Sequence, residues 1–262
     1  MLILAVEAGC RPTAFHVDHG LRSGSSAEAE VVARAASALG CAFVALTVSC
    51  ESGPNLEARA RAARLSVLPP DVATGHTADD QAETVLLNLL RGSGIDGVSG
   101  MRPGPRHPIL ALRRSETTAI ARASGLEIVV DPSNDDPAFR RNRVRHELIP
   151  LMDAIAGRDV VPLLARFAEL AGDDVELLES LAADVDATSV AHLRAVPVPT
   201  RRRVIRRLVR QARSTPYAPD VATVARVLDV IDGTARRAEI GGGFAIGRRR
   251  GRLGIEPPTE TR

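Results

Sequence analysis

The chain has 262 residues, with 34 basic and 32 acidic side chains and a formal net charge of +2, a length that suits one full domain and a smaller one. Hydrophobic residues make up 45% of it, aromatics only 2%, and tryptophan is absent, so both cores must be aliphatic. Cys10, Cys41 and Cys50 form no CxxC pair, which argues against a disulfide framework or a zinc site and for a reducing, cytoplasmic setting, and no apolar run reaches membrane-spanning length.

Leu2 to Ala8 is expected to be the tail of a helix stopped at Gly9; it is short, carries Glu7 and lacks a basic flank, so it is not read as a signal peptide. Thr13 to Val17 predicts a strand ending in Asp18-His19-Gly20. A helix from about Ser25 to Leu39, stopped by Gly40, leads to a second strand over Cys41 to Val48. Pro54 opens another helix to about Val67, and residues 72 to 75 read as a short buried strand. Thr77, with Asp80 three residues on, caps an acidic helix whose buried stripe is Val85, Leu86, Leu87, Leu89 and Leu90. This alternation predicts an α/β fold with a doubly wound parallel sheet covered on both faces.

Beyond Met101, residues 102 to 108 read as a loop, Ser115 to Ser124 as a helix with a Ser-x-x-Thr start, and 131 to 134 as a turn after the apolar Ile128 to Val130. An arginine-studded helix is entered near Pro137. Residues from about Val160 to Val190 are helical and acidic, and two more helices occupy 197 to 232. Ala238 to Glu256, with its GGG and alternating apolar positions, predicts a β-hairpin.

Three stretches carry chemistry. GHTADDQAETVLLNLLRGSGIDGVSGM, at 75 to 101, sets His76, Asp79, Asp80 and Glu83 on one rim of a helix start. One or two acids there would merely complement the helix dipole; this many, with a Gly-rich exit, point to a cation, either Mg²⁺ on a nucleotide or an amine substrate. HVDHGLR, at 16 to 22, lies at a strand's carboxyl end, where His16, Val17, Asp18 and His19 can border a nucleotide base and Arg22 can meet a phosphate; ordinary turn residues are the plain alternative. In RRNRVRH, at 140 to 146, Arg141 and Arg145 share one helical face and Asn142 and His146 the next, a cationic surface for phosphates. Arg201, Arg202, Arg203, Arg206 and Arg207 make the C-terminal third locally basic, which fits a polyanion partner, although solvated surface arginines would look the same.

These motifs, with DPSNDDPAFRRNRVRHELIP at 131 to 150, resemble in order and spacing the tRNA(Ile)-lysidine synthetase family of N-type ATP-pyrophosphatases; EIGGGFAIGRRRGRLGIE, at 239 to 256, resembles the family's C-terminal hairpin more weakly. The resemblance implies an adenine nucleotide alpha hydrolase-like domain at 1 to 157, a helical connector at 158 to 195, and a small tRNA-contacting domain at 196 to 262. It implies a cytoplasmic ligase that uses ATP and Mg²⁺ to adenylate carbon 2 of the wobble cytidine of tRNA(Ile) with a CAU anticodon, free lysine then displacing AMP, and it admits a homodimer. Asp80, Glu83, Asp79 and His76 would be catalytic, with Asp79 and Asp80 on the metal. His16, Val17, Asp18, His19 and Arg22 would bind ATP, and Arg91, Arg141, Asn142, Arg145, Arg201, Arg202 and Arg206 would meet tRNA or phosphate.

The family's phosphate loop, SGGxDS after a first strand, has no counterpart in this sequence; the glycines at 92 to 94 and 241 to 243 lack the following Asp-Ser. The expectation is therefore a mis-called start at Met1 and a longer natural protein. The competing expectation is a catalytically inert, tRNA-binding remnant. A tRNA thiolase of the same fold would need a cysteine pair that is missing here.

Overall fold

The computed structural model describes residues 1–18, 25–48, 56–127, 135–215 and 218–258. These divide into two compact units, Met1–Gly172 and Asp173–Arg262.

In the first unit the order is α1 (Leu2–Glu7), β1 (Thr13–Asp18), α2 (Ser25–Ala38), β2 (Ala42–Thr47), α3 (Leu56–Val67), α4 (Ala78–Leu90), α5 (Ile95–Val98), α6 (Arg114–Ala123), α7 (Arg140–Arg143), a π-helical turn (Val144–Leu148) and α8 (Ile149–Ala156); α9 (Val161–Ala183) runs into the second unit. Strand β1 pairs in parallel with β2, from Thr13 opposite Ala42 to Asp18 opposite Thr47. Parallel neighbours need a crossover, and α2 supplies it. Gly40, at φ 67°, takes the left-handed turn that ends the crossover without a Cβ clash. The Val48 N–H donates to the Asp18 carbonyl at 2.8 Å and carries the pairing one step further.

The strand expected over 72 to 75 is not formed. The segment has no ladder partner among the described residues, because the Thr74 N–H goes at 2.9 Å to the Arg106 carbonyl in the 102 to 108 loop. The parallel sheet of the described residues therefore has two strands. Helix α6 also starts differently: the Arg113 N–H donates to Glu116 at 2.7 Å, so the capping pair is Arg113 and Glu116 rather than Ser115 and Thr118. The turn expected at 131 to 134 and the apolar run before it lie outside the described residues.

Helix α4 is the centre of the first unit's core. Ala78, Ala82 and Leu86 pack with Val144, Ile149, Val160 and Val161, while Val85 packs with Val98, Ala168 and Ala171. Its buried stripe is shorter than its apolar sequence, since Leu89 and Leu90 in the last turn are exposed. Small alanines at 78 and 82 let neighbouring segments approach the helix start closely.

The second unit contains α10 (Val190–Ala195), α11 (Val198–Arg213), α12 (Val221–Asp232), β3 (Arg237–Gly241), β4 (Phe244–Arg249) and β5 (Arg252–Glu256). On α11, Val204, Ile205, Leu208 and Val209 recur at helical spacing and pack with Val227, Ile231, Ile240 and Ile246. The predicted hairpin is a three-stranded antiparallel sheet, β3-β4-β5. Its second turn is made by Arg250 and Gly251, at φ 50° and 77°, both left-handed as a tight two-residue hairpin turn requires.

Among the described residues no helix is long and apolar enough to cross a membrane.

Candidate active site

A cavity of about 1270 Å³ opens beside β1 in the first unit. Its walls include His16, Val17 and Asp18 from the carboxyl half of β1, Thr74, Gly75 and His76 from the extended segment, and Asp80 from the first turn of α4. The two motifs thus share one cavity, although they lie some sixty positions apart in sequence. Among the described residues, the buried His16 Nε2 has no hydrogen-bond partner, a polar orphan of the kind a bound base could satisfy. His19 and Arg22 lie outside the described residues.

Thr77 caps α4, and Asp80 is built into that cap: its Oδ2 accepts from the Thr77 N–H at 2.8 Å and from the Thr77 hydroxyl at 2.8 Å. Asp80 Oδ1 accepts from Arg114 Nη2 at 3.1 Å and Arg141 Nη2 at 2.9 Å. Burial pushes the Asp80 carboxyl up, but the Thr77 donors and the charges of Arg114 and Arg141 outweigh it and hold the group below the ordinary carboxylate value. Asp79 behaves alike. Burial raises it, while Arg113 (Nε and Nη2, both 3.2 Å) and the Arg114 N–H (2.7 Å) bring it below its ordinary value.

Glu83 is fully buried. Its Oε1 accepts from Arg114 Nη2 at 3.0 Å and Arg145 Nε at 2.8 Å, and its Oε2 from Arg141 Nε at 2.6 Å and Arg145 Nη2 at 3.3 Å. Arg113 also pairs with Asp159. Asp79, Asp80, Glu83 and Asp159 are therefore matched by Arg113, Arg114, Arg141 and Arg145, and the cluster is a neutral ionic network rather than a pool of negative charge.

Mg²⁺ does not fit this arrangement on Asp79 and Asp80. Every carboxylate oxygen of the two already accepts from a protein donor, and a metal site needs open oxygens at about 2.1 Å. Among the described residues no group of three or more His, Cys, Asp or Glu could hold a metal ion.

Arg141 and Arg145 do share a face, and it is turned onto Glu83 rather than left open for phosphate. Asn142 is buried and donates to the Asp136 carbonyl at 2.9 Å, tying down the loop before α7. Arg91 is exposed at the end of α4. In the second unit Arg201 reaches Asp232 at 3.1 Å, Arg202 is exposed, and Arg206 is half-buried. Arg203, one turn along the same basic run, is buried and bound to Glu179 at 2.6 Å. Sequence reasoning passed over Arg113 and Arg114. One signal was available: two arginines at a helix start run against the dipole, which favours acids there.

The parallel strands, the helical crossover and the cavity at the strand's end are those of a PP-loop nucleotide-binding protein, and residues 1–152 match the PP-loop domain family. Residues 189–253 match the TilS substrate binding domain. The chain is 42% identical over 222 residues to the tRNA(Ile)-lysidine synthase of Mycolicibacterium paratuberculosis, covering 79% of this chain and 69% of the relative. It is 39% identical over 257 residues to that of Streptomyces coelicolor (87% and 71%) and 40% over 260 residues to that of Rhodococcus erythropolis (90% and 79%). The chain belongs to the tRNA(Ile)-lysidine synthase family.

Proposed function

We propose that this protein joins the side-chain amine of free lysine to carbon 2 of the wobble cytidine of tRNA(Ile) with a CAU anticodon, using ATP and giving lysidine. The observation that carries the proposal is the shared cavity of β1 and the α4 start, within a chain that matches both family domains in order. The cytidine O2 would attack the α-phosphorus and release pyrophosphate. The lysine nitrogen would then bond to carbon 2 as the bond from carbon 2 to the adenylate oxygen breaks and AMP leaves, the amine's protons passing to the site and solvent.

In this scheme Val17 and Asp18 border the adenosine and His16 Nε2 finds its partner there. Asp80 is the network carboxylate that lines the cavity, and its roughly four acceptor positions are filled by Thr77, Arg114 and Arg141, so it receives the lysine ammonium by exchanging the longer guanidinium contact on Oδ1, from Arg114 at 3.1 Å, for the incoming donor. Glu83 and Asp79 stand behind it. Glu83 fixes Arg114, Arg141 and Arg145, and Asp79 fixes Arg113, so that the rim of the cavity is preorganised before substrate arrives. Mg²⁺ would come with the nucleotide's phosphates. Arg202, Arg201 and Arg206 would meet the tRNA backbone.

The test is lysine incorporation into unmodified tRNA(Ile) with matched pyrophosphate release. The proposal requires both, in equal amounts. Binding of tRNA with neither product would favour an inert tRNA-binding protein instead.

A further inference from the structure

The hairpin that joins β4 to β5 carries more positive charge than the fold can use. Arg249 and Arg252 close its two-residue turn and stand directly opposite each other, a placement in which like charges destabilise a sheet. Between them Arg250 holds φ 50°, a conformation that glycine, asparagine or aspartate takes at less cost. Arg252 has partners, since its Nη2 donates to the Thr188 hydroxyl and to Asp186 Oδ2 at 3.5 Å. The side chains of Arg249 and Arg250 are exposed and form no hydrogen bond or ion pair among the described residues. Ordinary solvated arginines would be spread apart; here two local costs are accepted to gather them.

The sheet face beside them is bare. Leu253, Ile246 and Ala238 point into the core, so strand alternation puts Arg249, Arg252, Gly247 and Gly254 together on the opposite face, with Gly247 paired to Gly254 in the row next to the arginine pair. Gly247 has a reason within the chain, because Glu256 Oε1 would lie 2.8 Å from a Cβ there. Gly254 has none: its φ lies outside the left-handed region, and nothing among the described residues comes within 4 Å of where its Cβ would be. A glycine in the middle of a strand weakens it and marks a place where another group comes close to the backbone. The acids of this face stand at its other end, where Arg237 donates to Glu256 at 2.7 Å and lies 3.8 Å from Glu239. Positive charge is therefore concentrated at the turn.

We infer that this face is an RNA-binding surface, on which a ribose-phosphate stretch of the tRNA lies against Gly254 while its phosphates meet Arg249, Arg250 and Arg252. Two residues of strand span about 7 Å, so a sugar on Gly254 leaves its phosphate within reach of the arginine pair. Guanidinium groups match phosphate oxygens two at a time, and such contacts fix position without reading sequence. A protein partner is the weaker fit, since the face carries no aromatic or large apolar side chain to anchor one. The inference rests on the proposed function for the identity of the RNA, and it adds a surface on different elements from Arg201, Arg202 and Arg206 of α11.

The experiment measures binding of the full chain to an unmodified tRNA(Ile) transcript over a range of salt, with urea midpoints beside it. Arg249→Ala and Arg250→Gly should each lower the slope of log affinity against log salt by about 1 without lowering the midpoint, because one relieves the like-charge pair and the other suits the turn. Gly254→Val removes no charge and favours the strand, so it should keep the midpoint and the slope while lowering affinity by about 10-fold. A structural role alone predicts altered midpoints and unaltered tRNA binding. Should valine at 254 unsettle the sheet, the two arginine variants carry the test by themselves. Wild-type slopes in both arginine variants, or a stably folded Gly254→Val that binds within about twofold of wild type, overturn the surface and favour an acidic protein as its partner. Lysine incorporation by the wild-type protein is read separately: reduced slopes in the variants with no lysidine made would overturn the proposed function and leave the RNA surface standing.

Discussion

Glu83→Gln is the sharpest perturbation of the ionic network. It changes no volume, but it removes one charge from a fully buried carboxylate bound by Arg114, Arg141 and Arg145. It also sets an amide NH₂ against guanidinium donors, so at least one close contact becomes donor against donor. Breaking a buried ion pair by removing one partner costs about 3–5 kcal/mol. The three arginine side chains are 21% to 34% exposed and water will screen part of their charge, so about 2–3 kcal/mol is expected. The chain has no tryptophan and one tyrosine, so urea unfolding is best followed by far-UV circular dichroism. With a slope of about 2 kcal/mol per molar urea, the midpoint of the transition that includes α4 should fall by about 1 M. Leu89→Ala, on the exposed end of the same helix, should cost less than about 0.5 kcal/mol, a midpoint shift below about 0.25 M. A Glu83→Gln midpoint that matches the Leu89→Ala control would refute the claim that the network holds this part of the fold together.

Asp79 and Asp80 both have folded-state values below the ordinary carboxylate value, so the stability they contribute is present above about pH 4 and is lost as pH falls through their folded-state values. Urea midpoints taken from pH 7 downward should stay level and then drop, and Asp80→Asn should make the drop shallower; an unchanged acid limb would contradict the assignment. Thr77→Ala removes the hydroxyl of the α4 cap and should cost about 1 kcal/mol in the same assay. Arg202→Ala, at an exposed position on α11, should weaken tRNA binding and reduce the slope of log affinity against log salt by about 1. An unaltered slope would mean that Arg202 is ordinary solvated surface.

Local chemistry made much of this protein legible before its structure. Gly40 announced the end of the α2 crossover, Thr77 with Asp80 announced the start of α4, and helical spacing put Asp79, Asp80 and Glu83 on one rim. Whether those acids were open to a cation was not legible, because the answer lies in Arg113 and Arg114, about thirty residues on, and in Arg141 and Arg145 beyond them. No spacing rule links charges so far apart. The 72 to 75 segment misled for a related reason: its residues suit a strand, but pairing is a long-range property, and the Arg106 carbonyl takes the Thr74 amide first. The third strand of the C-terminal sheet was hidden because Arg250 is a residue type that seldom adopts positive φ, so its turn carried only the signal of Gly251.

On the proposed function, Asp80 receives the lysine that is joined to tRNA. Asp80→Asn keeps the side chain's shape and an acceptor oxygen toward Thr77, so tRNA affinity measured by filter binding should stay within about twofold of wild type while lysine incorporation falls by at least about 100-fold. Thr77→Ala measured beside it shows what a weakened cap alone does. Retained lysine incorporation in Asp80→Asn, or tRNA binding lost in step with activity, would contradict that role for Asp80.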